Sequence, residues 1–173
     1  SDLTTGSLPT KKRLNERFIE VQKMHLTALA IGINEQENWI LVVEDDAVPL
    51  DIAFEKIHDI LNTLPAVNTF ISLSAGAGLR RTKSEKLIRK LSIFRVKPAA
   101  TRCVVANLIS IDLARKIVAS ARLEGVPNWL PIDVYYQVLL RRFNSKAYWT
   151  EPVFFEQGSE TGQYASELEQ IRK

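Results

Sequence analysis

The chain has 173 residues, of which 46% are hydrophobic and 25% are charged, and its formal net charge is +3. These proportions are those of ordinary soluble proteins, and a domain of this size buries roughly 70% of the surface that its unfolded form exposes. The one cysteine, Cys103, has no partner for an internal disulfide, so we expect a buried free thiol and a reducing compartment. No apolar run approaches the roughly 20 residues that cross a bilayer, and no signal peptide is visible, so we expect a cytoplasmic protein.

The first half of the chain predicts a helix, a strand, a helix and a strand in that order. Apolar side chains recur every three or four residues over 13–31, which indicates an amphipathic helix with His25 on its apolar face. The run "WILVV" at 39–43 predicts a fully buried strand. Residues 49–64 predict a second amphipathic helix, and "VNTFISLS" at 67–74 predicts another strand.

The second half continues this alternation of buried strands and helices. The predicted elements are a short helix at 87–91, strands at 92–96 and 103–109, a helix that Ser110 caps and that runs to about Arg122, a helix at 131–142, and a strand at 146–155. Residues 1–12 form a polar, flexible lead, and residues 160–173 form a polar tail. Because no internal repeat or linker divides the chain, the pattern predicts a single α/β domain over residues 1–173.

A basic stretch follows the Gly-rich segment "AGAGL". Between Arg80 and Arg102 lie nine lysines and arginines, including both ends, against the single acid Glu85. The stretch is interpreted either as a solvated surface or as a contact for an anionic partner, such as a phosphorylated sugar lipid, a nucleotide diphosphate or a membrane surface. Nucleic acid is disfavoured, because apart from Phe94 no aromatic side chains interleave with the charges to stack on bases.

Three consecutive acids, Glu44, Asp45 and Asp46, follow the first predicted strand. Two unrelated classes of protein end a strand in this way to hold a divalent metal. The first is the phosphorelay receiver, which also needs a phosphate-accepting aspartate about forty residues later in the chain. No aspartate occurs between Asp59 and Asp112, so the spacing argues against a receiver.

The second class is the nucleotide-sugar glycosyltransferase, in which such carboxylates hold Mn²⁺ or Mg²⁺. Hard cations prefer oxygen ligands, and the cation stabilises the charge that grows on the diphosphate leaving group. Because side chains alternate along an extended strand, Glu44 and Asp46 are expected to face the same way and to be the metal ligands. The alternative for the three acids is a structural role at the start of the next helix, where negative charge is favoured.

Six blocks of the sequence, taken in order, resemble a known family. They are "KMHLTALAIGI", "VVEDDAV", "TFISLSAG", "CVVANLISIDLARKIV", "LPIDVYYQVL" and "PVFFEQGS". Together they are similar to the family 25 glycosyltransferases, which include bacterial lipooligosaccharide galactosyltransferases and collagen galactosyltransferases. The resemblance covers roughly His25 to Ser159, and it depends on the order and spacing of the blocks, since no single block is specific.

The resemblance implies a GT-A type α/β fold with a mixed sheet flanked by helices. It implies an N-terminally shortened chain, because the family's opening nucleotide-binding strand, "I-N-L-D-R", has no counterpart here. It also implies metal-dependent, inverting transfer of a sugar from a UDP-sugar to a hydroxyl of a glycan or lipooligosaccharide acceptor. By the same resemblance His25, Asp45, Gln157 and Ser159 lie near the donor. The alternative is a non-catalytic domain of this fold that serves as a binding or scaffolding module.

An inverting transfer needs a general base for the acceptor hydroxyl, and Asp133 is the candidate. It follows a loop and Pro131, and the aromatic residues Trp129, Tyr135 and Tyr136 surround it in sequence. These aromatic side chains are interpreted either as sugar-stacking groups or as core. Asp133 has an equally weighted alternative as a first-turn acid, and the alternative for His25 is a hydrogen-bonded core residue.

Overall fold

The computed structural model describes residues 11–74, 87–88, 91–98 and 104–162. The helices are α1 (Lys11–Asn34), α2 (Ala53–Thr63), α3 (Ile111–Glu124), α4 (Ile132–Arg142) and α5 (Gly158–Thr161). The strands are β1 (Trp39–Val43), β2 (Ala47–Pro49), β3 (Thr69–Ser72), β4 (Leu87–Ile88), β5 (Ile93–Val96), β6 (Ala106–Ser110), β7 (Lys146–Thr150) and β8 (Phe155–Gln157). The Gly-rich segment, Cys103 and most of the lead, the basic stretch and the polar tail lie outside the described residues.

Six strands form one mixed sheet in the order β1-β6-β3-β7-β5-β4. The pair β3 and β7 is parallel, and the other neighbours are antiparallel. Strands β2 and β8 form a separate antiparallel ladder. Helices flank this sheet, so the predicted α/β class with a mixed sheet is confirmed.

Two hydrophobic clusters cover the two faces of the sheet. Neighbouring residues of one strand belong to different clusters, because side chains alternate between faces: Ile109 packs with α1, α3 and α4, whereas Leu108 packs with α2 and the β2–β8 ladder. Helix α1 approaches β1 closely at Gly32, where a Cβ atom would meet the Ile40 side chain at 2.8 Å. Helix α1 therefore lies directly beside β1, the strand that the three acids follow.

Four of the predicted elements are corrected by the structure. Strand β1 is not fully buried: it is an edge strand, and Leu41 and Val43 are 39% and 43% exposed on the face that α1 does not cover. The predicted helix at 87–91 is wrong, because Leu87–Ile88 is a strand that pairs with β5. The predicted helix at 49–64 begins only at Ala53, since the chain first pairs as β2. The single strand predicted at 146–155 is two strands, β7 and β8, separated by a segment with Pro152, which has no N–H to donate.

A hydrogen-bond network joins β3, β6 and α3 at the edge of the sheet where β3 begins. The Asn68 backbone N–H donates to both carboxylate oxygens of Asp112 at 2.9 Å, and the Ser110 hydroxyl donates to Asp112 at 2.7 Å. Ser110 is the N-cap residue of α3, as predicted, but its hydroxyl bonds Asp112 and accepts from the Thr69 N–H at 2.9 Å instead of capping the helix. Although burial alone would raise the pKa of Asp112, these hydrogen bonds hold it below its ordinary value.

We expect Asp112→Ala to lower the free energy of unfolding by about 1–3 kcal/mol at neutral pH, because it leaves the Asn68 N–H without its acceptor. A carboxylate with a lowered pKa stabilises the folded state above its unfolded pKa, here 3.8, and loses that contribution as pH falls through the folded value. Urea unfolding of parent and variant should therefore differ most at neutral pH and converge well below pH 3.8. The exposed acid Asp51 provides the control, as Asp51→Ala; an equal gap at both pH values would contradict the assignment.

Candidate active site

The three consecutive acids lie in a turn, which we call the acid turn (residues 44–46). Strand β1 ends at Val43, and the Glu44 N–H donates to the Val105 carbonyl at 2.8 Å, extending the contact with β6 by one residue. The Ala47 N–H then donates to the Glu44 carbonyl at 3.2 Å, which closes the turn. The prediction that Glu44 and Asp46 face the same way along a strand is therefore wrong: both lie in the turn, and their side chains contact different elements.

Glu44 faces helices α1 and α4. Its Oε1 atom lies 3.4 Å from Nε2 of His25, and Nδ1 of His25 lies 3.4 Å from the Tyr136 hydroxyl. The rings of His25 and Tyr136 pack edge to face with centroids 5.8 Å apart. His25 is thus a buried residue, 4% exposed, with hydrogen-bonding partners on both ring nitrogens, one of which is in the acid turn.

Asp46 faces β8 and α5. The Ser159 hydroxyl donates to its Oδ2 atom at 2.7 Å, and the Gly158 N–H donates to its backbone carbonyl at 2.7 Å. Gln157 is brought beside the same turn by the β2–β8 register, in which it pairs with Ala47. Asp46 therefore belongs to one cluster with Gln157 and Ser159, although Ser159 lies 113 residues later in the chain.

Asp45 and Asp133 make no hydrogen bond or ion pair within the part of the chain that the structure describes. Asp45 is exposed at the tip of the acid turn. Asp133 is half-buried in the first turn of α4, three residues before Tyr136. Helix α4 leads into β7, which runs parallel to β3. The helix therefore runs back along the sheet, and it begins near the end of the sheet at which β1 and β3 terminate. Asp133 and the acid turn therefore lie toward the same end of these strands, with α4 packed on one face of the sheet and the β2–β8 ladder beside Asp46 on the other.

One side chain that supports the site, Gln22, was not singled out from the sequence. Gln22, 2% exposed, donates from Nε2 to the Pro127 carbonyl at 3.0 Å and also to the Leu130 carbonyl, which ties the loop before α4 to α1. Gln22 lies three residues before His25 and so shares the apolar face of the helix. A polar amide on that face was the sequence signal that could have identified Gln22 as a buried hydrogen-bonding residue. Of the three aromatic residues weighed as sugar-stacking groups or as core, Tyr135 and Tyr136 are core, while Trp129 is 64% exposed.

Burial raises the pKa of the Tyr136 phenol, and the nearby Glu44 charge raises it further. The hydroxyl therefore keeps its proton at neutral pH and is available as a hydrogen-bond donor inside the site.

The acid turn offers a metal only part of a set of ligands. Among the described residues no group of three or more His, Cys, Asp or Glu side chains is assembled for a metal. However, Glu44 and Asp46 each bond a protein donor through one named oxygen, Oε1 and Oδ2 respectively. Mg²⁺ in particular is commonly held by one or two carboxylates together with substrate phosphates. A metal bound at the acid turn would therefore have to take further ligands from a substrate.

The fold and site define an α/β protein whose mixed, helix-flanked sheet is compatible with a Rossmann-like fold. No protein-family model matches the chain, and comparisons with curated proteins and with solved structures give no match. The resemblance to family 25 glycosyltransferases therefore stays a hypothesis based on the quoted blocks. Within the described part of the chain, no helix is long and apolar enough to cross a membrane.

The predicted anionic contact through the basic stretch falls mostly outside the described residues. Of its lysines and arginines only Arg95 and Lys97 are described, and both are exposed. Arg95 is the outward-facing residue of β5, which fits either the solvated or the ligand-binding interpretation.

Proposed function

We propose that the chain is a metal-dependent glycosyltransferase domain with a GT-A type fold, which moves a sugar from a UDP-sugar to a glycan or lipooligosaccharide hydroxyl with inversion. One observation carries the proposal: residues predicted from separate blocks of the sequence meet at the acid turn. His25 contacts it from α1 and Ser159 from α5, and Gln157 of β8 pairs with Ala47, the residue that follows the turn. A lipid-linked acceptor would bring the basic stretch against the anionic surface of a membrane on its cytoplasmic side.

The acid turn supplies two carboxylates whose orientations are held by neighbouring side chains. His25 contacts Oε1 of Glu44, and Ser159 donates to Oδ2 of Asp46. Each contact fixes the orientation of the carboxylate and thereby the direction of its other oxygen. Mn²⁺ or Mg²⁺ bound there would neutralise the charge that develops on the diphosphate leaving group. Rigid placement of such groups is what a site of this kind requires of the protein.

Asp133 is the proposed general base. An ionised carboxylate at the start of α4 accepts the proton of the acceptor hydroxyl while that oxygen bonds to the anomeric carbon. The bond from the anomeric carbon to the phosphate oxygen breaks, and its electron pair leaves with the nucleoside diphosphate. The acceptor attacks opposite the leaving group, so the configuration inverts.

A non-catalytic binding module of the same fold is the second candidate. The absence of a preassembled group of three ligands among the described residues favours it, because a module that binds a glycan needs no metal. It would bind without releasing UDP.

We expect Mn²⁺-dependent release of UDP when the chain is incubated with a panel of UDP-sugars, with water as the acceptor, and we expect EDTA to stop it. Ser159→Ala should slow release about 10-fold, because loss of a group that orients a metal-bound carboxylate typically costs 10- to 100-fold. The matched control is Thr161→Ala. It removes a hydroxyl from the same short helix, but this hydroxyl donates to the Gly158 carbonyl and not to Asp46. UDP release that continues at the same rate in EDTA would contradict the proposed metal dependence. Mn²⁺-dependent binding of UDP without UDP release from any of the UDP-sugars would favour the non-catalytic module.

A further inference from the structure

The hydroxyl of Tyr136 contacts His25 on the side of the imidazole that faces away from the acid turn. We infer that Tyr136 is a positioning residue: its hydroxyl fixes His25 in the Nε2–H tautomer and in one ring orientation, so that the imidazole donates to Glu44. Tyr136 itself does not contact the acid turn by a hydrogen bond; it acts through His25. The effect of Tyr136 on metal binding rests on the proposed function. The assignment of the His25 tautomer does not depend on it.

The direction of the hydrogen bonds follows from the groups involved. An ionised Glu44 carboxylate can only accept, so Nε2 of His25, 3.4 Å from Oε1, must carry a hydrogen to bond it. A neutral imidazole carries one N–H, and Nδ1 is then an acceptor. The Tyr136 hydroxyl, 3.4 Å from Nδ1, can donate to it. For a neutral ring this is the one arrangement that satisfies both contacts.

Burial makes the arrangement specific. Tyr136 and His25 are 1% and 4% exposed, so bulk water does not replace the phenol as a donor. The Tyr136 ring is itself held by packing, with Phe70 at a centroid distance of 5.7 Å and His25 at 5.8 Å. The reverse tautomer would direct the Nε2 lone pair at the Glu44 carboxylate, which is repulsive. The Tyr136 hydroxyl therefore stabilises the ring state that holds Glu44 in place.

The chain has only two histidines, so the tautomer can be read directly. In full-length protein with isotope-labelled histidine, we expect nitrogen chemical shifts and couplings of His25 to show a single Nε2–H form. The exposed His58 serves as an internal reference with averaged shifts. In Tyr136→Phe we expect the His25 shifts to move toward averaged values, and Mn²⁺ affinity to fall by up to about 10-fold, since loss of a direct partner of a metal ligand typically costs 10- to 100-fold and Tyr136 acts one residue further away.

Tyr135→Phe is the matched control, because it removes a buried phenol oxygen from the same helix. Within the described structure, that oxygen makes no hydrogen bond to His25. It should leave the His25 spectrum unchanged. An Nδ1–H form in the parent protein, or an unaltered His25 spectrum in a folded Tyr136→Phe, would overturn the inference. If the spectra behave as expected but the parent binds no Mn²⁺, the positioning of His25 stands and the proposed metal site fails.

Discussion

Asp46→Asn should abolish the stabilisation of the chain by Mn²⁺. Adjacent carboxylates in the acid turn repel one another, and a bound cation relieves that repulsion in the folded state. At a free Mn²⁺ concentration 100 times its dissociation constant, the parent should gain about 2.7 kcal/mol, which corresponds to roughly 5–10 °C in melting temperature for a domain of this size. Asparagine keeps the size of the side chain and an oxygen that can accept from Ser159 but removes the charge, so thermal unfolding of the variant should not respond.

The control for this experiment is Asp51→Asn, which removes an exposed carboxylate that lies outside the acid turn. It should melt like the parent and should keep the full response to Mn²⁺, and EDTA should reverse that response in both proteins. An Asp46→Asn variant that is stabilised as strongly as the parent would remove Asp46 from the proposed metal site.

Asp133→Asn should reduce kcat by roughly 10² or more and leave the apparent affinity for the UDP-sugar nearly unchanged. A general base acts on the acceptor proton only as the new bond forms, so its loss affects the transition state more than the bound donor. The measurement is steady-state transfer to an acceptor under conditions in which the parent turns over. The position of Asp133 in the first turn of α4, toward the same end of the strands as the acid turn, motivates this expectation.

Asp59→Asn provides a comparison, because Asp59 is an acid of α2 whose side chain bonds Lys56 and lies on the other layer of the fold. It should keep the parent kcat. Both variants should also unfold at temperatures close to that of the parent, which separates catalysis from stability. A normal kcat with a raised KM for the donor in Asp133→Asn would make Asp133 a donor-binding group and would contradict its role as the base.

Periodicity identified the elements that bury a single stripe or run of apolar side chains. Helices α1, α2, α3 and α4 and strands β3, β5 and β6 were predicted within a few residues, because one-sided burial leaves a repeat of three to four and deep burial leaves a continuous apolar run. The two-residue strand β4 was predicted as a helix, since its pairing with β5 depends on a partner outside the local window. Strand β1 was predicted as fully buried for the same reason: its place at the sheet edge is not encoded in its own five residues.

The residue types of the candidate site were readable from the sequence, whereas their contacts were not. Three acids after an apolar strand predict either a hard-metal site or a favourable helix start, and a histidine on an apolar face, as at position 25, needs a partner when it is buried. That His25 meets Glu44 across 19 residues, and that Ser159 meets Asp46 across 113, depends on the packing of α1 and on the β2–β8 register. Tyr136 shows the same limit, because an apolar helical stripe predicts burial but not which ring nitrogen a buried hydroxyl will meet. Local periodicity thus determined most of the elements, and only the tertiary structure decided which side chains they bring together, because strand order and register are set by contacts between distant segments.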